Sequence, residues 1–170
     1  LVGSEMCIRD RSTVNILGMN KKATPLESDE LCAKSAVDLL SLIKKREISC
    51  VDLMESCIHR YEQVNGAINA VIETNFENAL SVSKDVDKNF EQRIANERFL
   101  PIPVGIKDLN DVAGMKTTYG SPLFQNNKVE NDDDVVAHLK DASVMIFGKT
   151  NVPEHGFGAT TTNPLQGSTG

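Results

Sequence analysis

No C-x-x-C pair occurs among the four cysteines, no H-E-x-x-H spacing among the three histidines, and no purely apolar run is longer than Val144, Met145, Ile146 and Phe147. The first two absences leave a zinc or dithiol site without support. The third leaves nothing that could span a bilayer as a helix. The opening residues also lack the apolar centre of a signal peptide. Basic residues are outnumbered by acidic ones, 18 against 24, for a formal charge of −6. That balance does not suit a general nucleic-acid binder, which presents a basic face to phosphates. Small molecules and other proteins remain as partners.

What is present suffices for a core: 170 residues, 40% of them apolar, can make one globular domain or part of a larger one. Cys32, Cys50 and Cys57 fall in stretches of helical periodicity and read as buried free thiols of a reducing compartment, hence a cytoplasmic protein. Residues 1–22 show no periodicity and are set aside as a non-native or disordered leader, with Met19 a more natural start. Residues 23–170 carry the fold.

Apolar Ala36, Leu39, Leu40 and Ile43 recur at helical spacing and predict a helix over 29–46, with Asp29 and Glu30 at its start and Lys44, Lys45 and Arg46 at its end. A second helix begins at Ser49, with Asp52 in capping-box position, buries Met54, Cys57, Ile58 and Tyr61, and stops at Gly66. Residues 67–72 are ambiguous and suit an extended segment. A third helix over 75–89 turns Phe76, Ala79, Leu80 and Val86 inward, and 91–99 reads as a charged connector. The pattern then changes to strands and turns. Pro101 and Pro103 suit a strand at a sheet edge, Gly105 leaves room for close packing, and Lys107 ends the strand. A helix from Asn131 carries Asp132, Asp133 and Asp134 in its first turn, with Val135, Leu139 and Ala142 on one face. The strand 144–148 follows. Strand, helix and strand in that order predict an α/β unit.

Short motifs are worth little here. Gly148-Lys149-Thr150 imitates the end of a phosphate-binding loop, yet Ser143 stands where its first glycine belongs and 144–147 are needed as strand. Gly156-Phe157-Gly158 lacks the third glycine of a dinucleotide fingerprint, Thr161 taking its place. His59 and His138 read as helix-surface residues. Lys107, next to Asp108, reads on pattern alone as a solvated strand end paired with its neighbour. A lysine serves as a base only where its surroundings disfavour the ammonium.

Taken together, 101–108 (PIPVGIKD), 114–121 (GMKTTYGS), 134–151 (DVVAHLKDASVMIFGKTN), Val152-Pro153-Glu154 and 163–169 (NPLQGST) resemble the opening of the amidase signature family over residues 28–170. The resemblance implies an α/β/α fold, a mixed sheet flanked by helices. It implies hydrolysis of linear carboxamides by a Ser, cis-Ser, Lys triad in which Lys107 is the base, with no cofactor and no metal. It also implies a small-molecule amide as partner, with no nucleic acid and no membrane, and leaves a homo-oligomer open. His155, Gly156 and Phe157 correspond to a wall of the acyl pocket and are the substrate-binding candidates.

Several departures accompany the likeness. The Gly/Ser-rich motif with the bridging serine, and the nucleophile beyond it, do not occur within the 170 residues, and neither Ser121 nor Ser168 occupies those positions. The expectation is an N-terminal portion, truncated before the serine motif and inert by itself. Ser143 replaces a usual glycine between helix and strand, which predicts strain there. Met-Asp-Glu-Phe of the amidase-like subunit of tRNA-dependent amidotransferases is replaced by Val152-Pro153-Glu154-His155, which favours a stand-alone amidase over that subunit. A non-catalytic α/β module is the third reading.

Overall fold

The computed structural model describes residues 31–170; the expected leader, Cys7, Asp29 and Glu30 lie outside them. Helix α1 spans Ala36–Lys44, with the Ser35 hydroxyl accepting from the Asp38 amide at 3.1 Å. Ser35 satisfies the first turn, so the helix starts several residues later than expected. Leu39 and Ile43 are its buried face.

Helix α2 spans Cys50–Ile68 and has the predicted capping box, Ser49 and Asp52 exchanging backbone bonds of 3.0 and 2.9 Å. Asp87 adds its carboxylate, accepting from the Cys50 and Val51 amides at 2.9 and 3.0 Å. The orphan donors of the first turn are thus met from two sides. The stop is two residues beyond Gly66: Asn69 takes the left-handed conformation at φ 54°, and the Asn65 side chain bonds Ala70 and Val71. Asparagine tolerates that conformation, so no glycine is required.

Strand β1 (Val71–Thr74) resolves the ambiguous stretch, and α3 (Phe76–Lys88) follows, with Ala79, Ser83 and Val86 buried. The expected connector contains a short helix, α4 (Phe90–Ile94). Phe90 anchors it, edge-on to Phe99 at 5.8 Å and covered by the Arg46 guanidinium at 4.1 Å. Strand β2 is Pro103–Lys107, α5 is Asp134–Asp141 and β3 is Met145–Thr150. A small hairpin, β4 (Thr162–Asn163) with β5 (Gly167–Ser168), ends the described chain.

The main sheet has the order β1-β3-β2, with β3 antiparallel to β1 and parallel to β2. It is the predicted mixed sheet, with β2 at an edge, and β2, α5 and β3 form the α/β unit. Alternation along β3 sends Met145 into a core with Leu39, Ile43, Leu53, Met54, Val86 and Phe90. Ile146 goes to a second core with Ile106, Val112, Met115 and Val136. Successive strand residues face opposite sides, so helices cover both faces. A Cβ on Gly105 would lie 2.8 Å from Thr150 Cγ2, which is the close packing expected of it.

Helix α5 departs from expectation at its start. It begins at Asp134, so Val136 is buried and Val135 is exposed. Asp132 and Asp133 are drawn out of the first turn by other partners. Asp132 accepts from the Ala113 amide at 2.8 Å and from Lys140 Nζ at 2.7 Å, and Asp133 accepts from the Asp111 amide at 2.9 Å. Ser143, buried, sits at φ 68° between α5 and β3, where the sequence predicted strain.

Candidate functional site

The carboxyl ends of β2 and β3 lie side by side, Lys107 in register with Thr150. In open α/β sheets that end of parallel strands is where ligands bind. Lys107 is exposed, and its ammonium forms no ion pair or hydrogen bond with another described residue. The expected pairing with Asp108 does not occur, because consecutive residues of a strand point to opposite sides.

Asp108 turns inward to Lys149. The two are 1% and 0% exposed, with Oδ1 and Nζ 3.4 Å apart. Lys149 Nζ donates to Asn110 O at 2.7 Å, to Thr117 Oγ1 at 2.9 Å and to Lys116 O at 3.1 Å. Three acceptors match the three protons of an ammonium. Burial draws Lys149 below the ordinary lysine value, and the Asp108 carboxylate opposes that shift. On its other side Asp108 accepts from the Thr118 amide at 3.1 and 3.2 Å and from the Thr118 hydroxyl. The pair therefore ties the end of β3 to the loop 108–118 that leaves Lys107.

Two backbone bonds extend this frame. The Tyr119 amide donates to Asp108 O at 3.2 Å, and the His155 amide donates to Tyr119 O at 2.7 Å. Tyr119 and His155 both have φ 52°, and the glycines after them, Gly120 and Gly156, are also left-handed at φ 65° and 78°. For a residue with a side chain that conformation costs about 1–2 kcal/mol. Tyr119 meets Phe124 edge-on at 5.1 Å, and Phe124 meets His155 edge-on at 6.1 Å. Burial, then Asp111, Asp133 and Asp108, push the Tyr119 phenol up, so the ring stays neutral.

Of the substrate-binding candidates, His155 is exposed, Phe157 is 85% exposed, and Gly156 faces Leu109, whose Cδ1 a Cβ would approach to 2.9 Å. All three are on the loop that follows β3, at the same end of the sheet as Lys107. Glu154 and His155 are in a tight turn, not on extended chain. A cleft that none of the three candidates lines is bordered by Glu73, Asp108, Lys116, Thr118, Gln125 and Gln166, among others. Ser121 is buried, and Ser168 is in β5 with its hydroxyl 2.8 Å from that of Thr162.

His59 and His138 are exposed on α2 and α5 as expected. Among the described residues no cluster of His, Cys, Asp and Glu could hold a metal, and no helix is long and apolar enough to cross a membrane. Cys32, Cys50 and Cys57 are free. Burial pushes the Cys50 thiol up, and pushes Cys57 up to about 12, so both are poor nucleophiles at neutral pH.

Sequence reasoning missed Lys149 and the aromatic contacts of Tyr119 and Phe124. Lys149 carried a signal: it continues an apolar strand inward, where a lone charge requires a partner. The aromatic contacts depend on how two loops meet and carried none.

The family model described as Amidase matches residues 52–170. A glutamyl-tRNA(Gln) amidotransferase subunit from Acidothermus cellulolyticus is 32% identical over 143 residues, covering 82% of this chain and 28% of that protein. An acylamidase from Rhodococcus erythropolis is 33% identical over 138 residues, covering 79% and 28%. Among solved structures, 6-aminohexanoate cyclic dimer hydrolase in complex with substrate superposes with a TM-score of 0.71 at 29% identity, covering 82% of this chain and 28% of that one. The chain thus spans less than a third of the length of these relatives.

Proposed function

Because the chain belongs to the Amidase family, we propose that the whole protein hydrolyses the C–N bond of linear carboxamides in the cytoplasm, with Lys107 as the base. The observation that carries this is the division of labour between two lysines. Lys149 holds the Asp108 carboxylate in the core, so the acid next to Lys107 in sequence is not spent on stabilising a Lys107 ammonium. A base must be able to exist neutral, and a carboxylate partner would work against it.

In the proposed reaction neutral Lys107 takes a proton, through a bridging serine, from a nucleophilic serine hydroxyl. The alkoxide adds to the amide carbon. Backbone amides stabilise the oxyanion. The tetrahedral intermediate collapses as its nitrogen accepts the proton and leaves, and water then hydrolyses the acyl-enzyme. The serines are supplied by sequence beyond the stretch described. His155, Gly156 and Phe157 border the acyl group.

The test uses two proteins. In the protein carrying this stretch together with both serines, Lys107→Met is expected to lower kcat about 10³-fold or more, with Lys107→Arg no better. The 170-residue chain alone is expected to turn over no simple aryl or alkyl amide. Wild-type rates in the Lys107→Met protein would overturn the assignment.

A second reading, the amidase-like subunit of a tRNA-dependent amidotransferase, is favoured by the description of relatives such as the Acidothermus protein. Val152-Pro153-Glu154-His155 leans against it. Glutamine-dependent amidation of a misacylated tRNA in the presence of partner proteins would decide for it.

A further inference from the structure

We infer that Tyr119, Phe124 and His155 form an aromatic wall that selects carboxamides bearing an aryl group. The inference rests on the proposed placement of the reacting centre at the end of β2. The three rings come from two loops and meet edge to edge, Tyr119 to Phe124 at 5.1 Å and 79°, Phe124 to His155 at 6.1 Å and 90°. Their backbones are bonded in series to the residue after Lys107, Tyr119 to Asp108 and His155 to Tyr119. The wall is therefore fixed relative to Lys107 by the same frame that Lys149 anchors.

Two further features distinguish this from ordinary loop packing. Both Tyr119 and His155 hold left-handed backbones, strain of a kind that clusters at ligand sites, though Arg46 and Ser143 share it elsewhere in the chain. The rings are also not sealed into either core. Phe124 is 37% exposed, and Leu123 and Phe157, close in sequence to the wall residues, are 86% and 85% exposed. Partly exposed rings on loops whose adjoining residues Thr118 and Gln125 line a cleft with Glu73, Lys116 and Gln166 suit a ligand with a flat apolar end and a polar amide. Offset-stacked and edge-to-face are the arrangements aromatic pairs prefer, and an aryl group of the ligand can meet the exposed parts of these rings in either.

The test is titration of the full 170-residue chain with 2-phenylacetamide and, separately, acetamide, followed by amide NMR. Phenylacetamide is expected to shift Tyr119, Gly120, His155 and Gly156 and to bind about fivefold more tightly than acetamide, the worth of one aromatic contact. Phe124→Ala should erase that preference, and Phe124→Leu, which keeps apolar volume should the alanine variant fail to fold, should reduce it. Equal binding of the two amides, no saturable shift with phenylacetamide, or a preference that survives both Phe124 variants overturns the wall. Shifts that follow protein concentration and ignore the amide would assign the patch to self-association and also overturn it. Persistence of turnover in the Lys107→Met protein would sink the catalytic assignment alone, since the binding preference is read without turnover.

Discussion

Two lysines end neighbouring strands of one sheet, and their surroundings are opposite. Lys107 leaves β2 into solvent and has no charged partner among the described residues, whereas Lys149, one residue from the end of β3, is sealed in the core with a carboxylate and three oxygen acceptors. Register pairs Ile106 with Lys149 and Lys107 with Thr150. A shift of one residue along β3 would turn Lys149 to the face Lys107 uses and leave Asp108 without its cation, because each step turns a side chain to the other face. The difference teaches how a chain can keep a free lysine beside an aspartate: a second lysine takes up the acid.

The sharpest way to break this comparison is to remove each cation in turn. Lys149→Met leaves Asp108 buried without its counter-charge, and loss of one partner of a buried pair costs about 3–5 kcal/mol. The Thr118 contacts remain but cannot supply a cation. Lys107→Met should leave the melting temperature unchanged within about 1 °C, as is usual for an exposed side chain without partners. Thermal melts of the two variants measure both. Similar losses would show that Lys107 is structural, and the division of labour would fail. Adding Asp108→Leu to Lys149→Met should recover part of the loss, since a buried pair can be exchanged for apolar residues at little cost.

How much of this was legible beforehand follows from the range of the interactions concerned. The capping box at Ser49 and Asp52 and the strand, helix, strand order of β2, α5 and β3 are set by residues close in sequence, and they read correctly. The edge position of β2 was legible from its prolines. The stop of α2 was misplaced because Asn65 and Asn69 together do what Gly66 seemed needed for. The start of α5 was misplaced because Asp132 and Asp133 serve a loop some twenty residues earlier in the chain. At the candidate site the likeness to a family marked Lys107. The partner of Asp108 is forty-one positions away: the apolar strand that Lys149 continues signals its burial, but nothing local says which acid it meets.

A smaller effect sharpens the picture of the loop that Lys149 holds, because the same loop is tied from the other side by Asp132. Burial would raise the Asp132 carboxyl, but hydrogen bonds from Lys140 and the Ala113 amide, with the Lys140 charge, hold it below the ordinary aspartate value. A depressed folded-state value means that the unfolded chain binds the proton more readily. Stability from Asp132 is then present above the unfolded value, near pH 4, and is lost as pH falls through the folded one. Asp132→Asn should therefore lower stability at neutral pH and flatten its fall as the pH drops below about 4. Denaturation midpoints across that range give the slope. An unchanged acid limb would leave Lys149 as the main tie of the loop.

The smallest expected effect lies at the opposite end of β3 from Lys149. Ser143 is left-handed at φ 68° and plays no part in the candidate site. Glycine adopts that backbone without a Cβ penalty, though it also gains freedom in the unfolded chain, so Ser143→Gly should stabilise by only about 0.5–1 kcal/mol. Strain at Tyr119 and His155 has the same sign of φ but carries side chains that the proposed wall uses. Glycine at either should remove the aryl preference even where it raises the melting temperature. If Ser143→Gly stabilises and keeps the preference while Tyr119→Gly stabilises and loses it, strain at the two ends of the sheet is separated by function: at one it is an accident of substitution, and at the other it holds a ring in place.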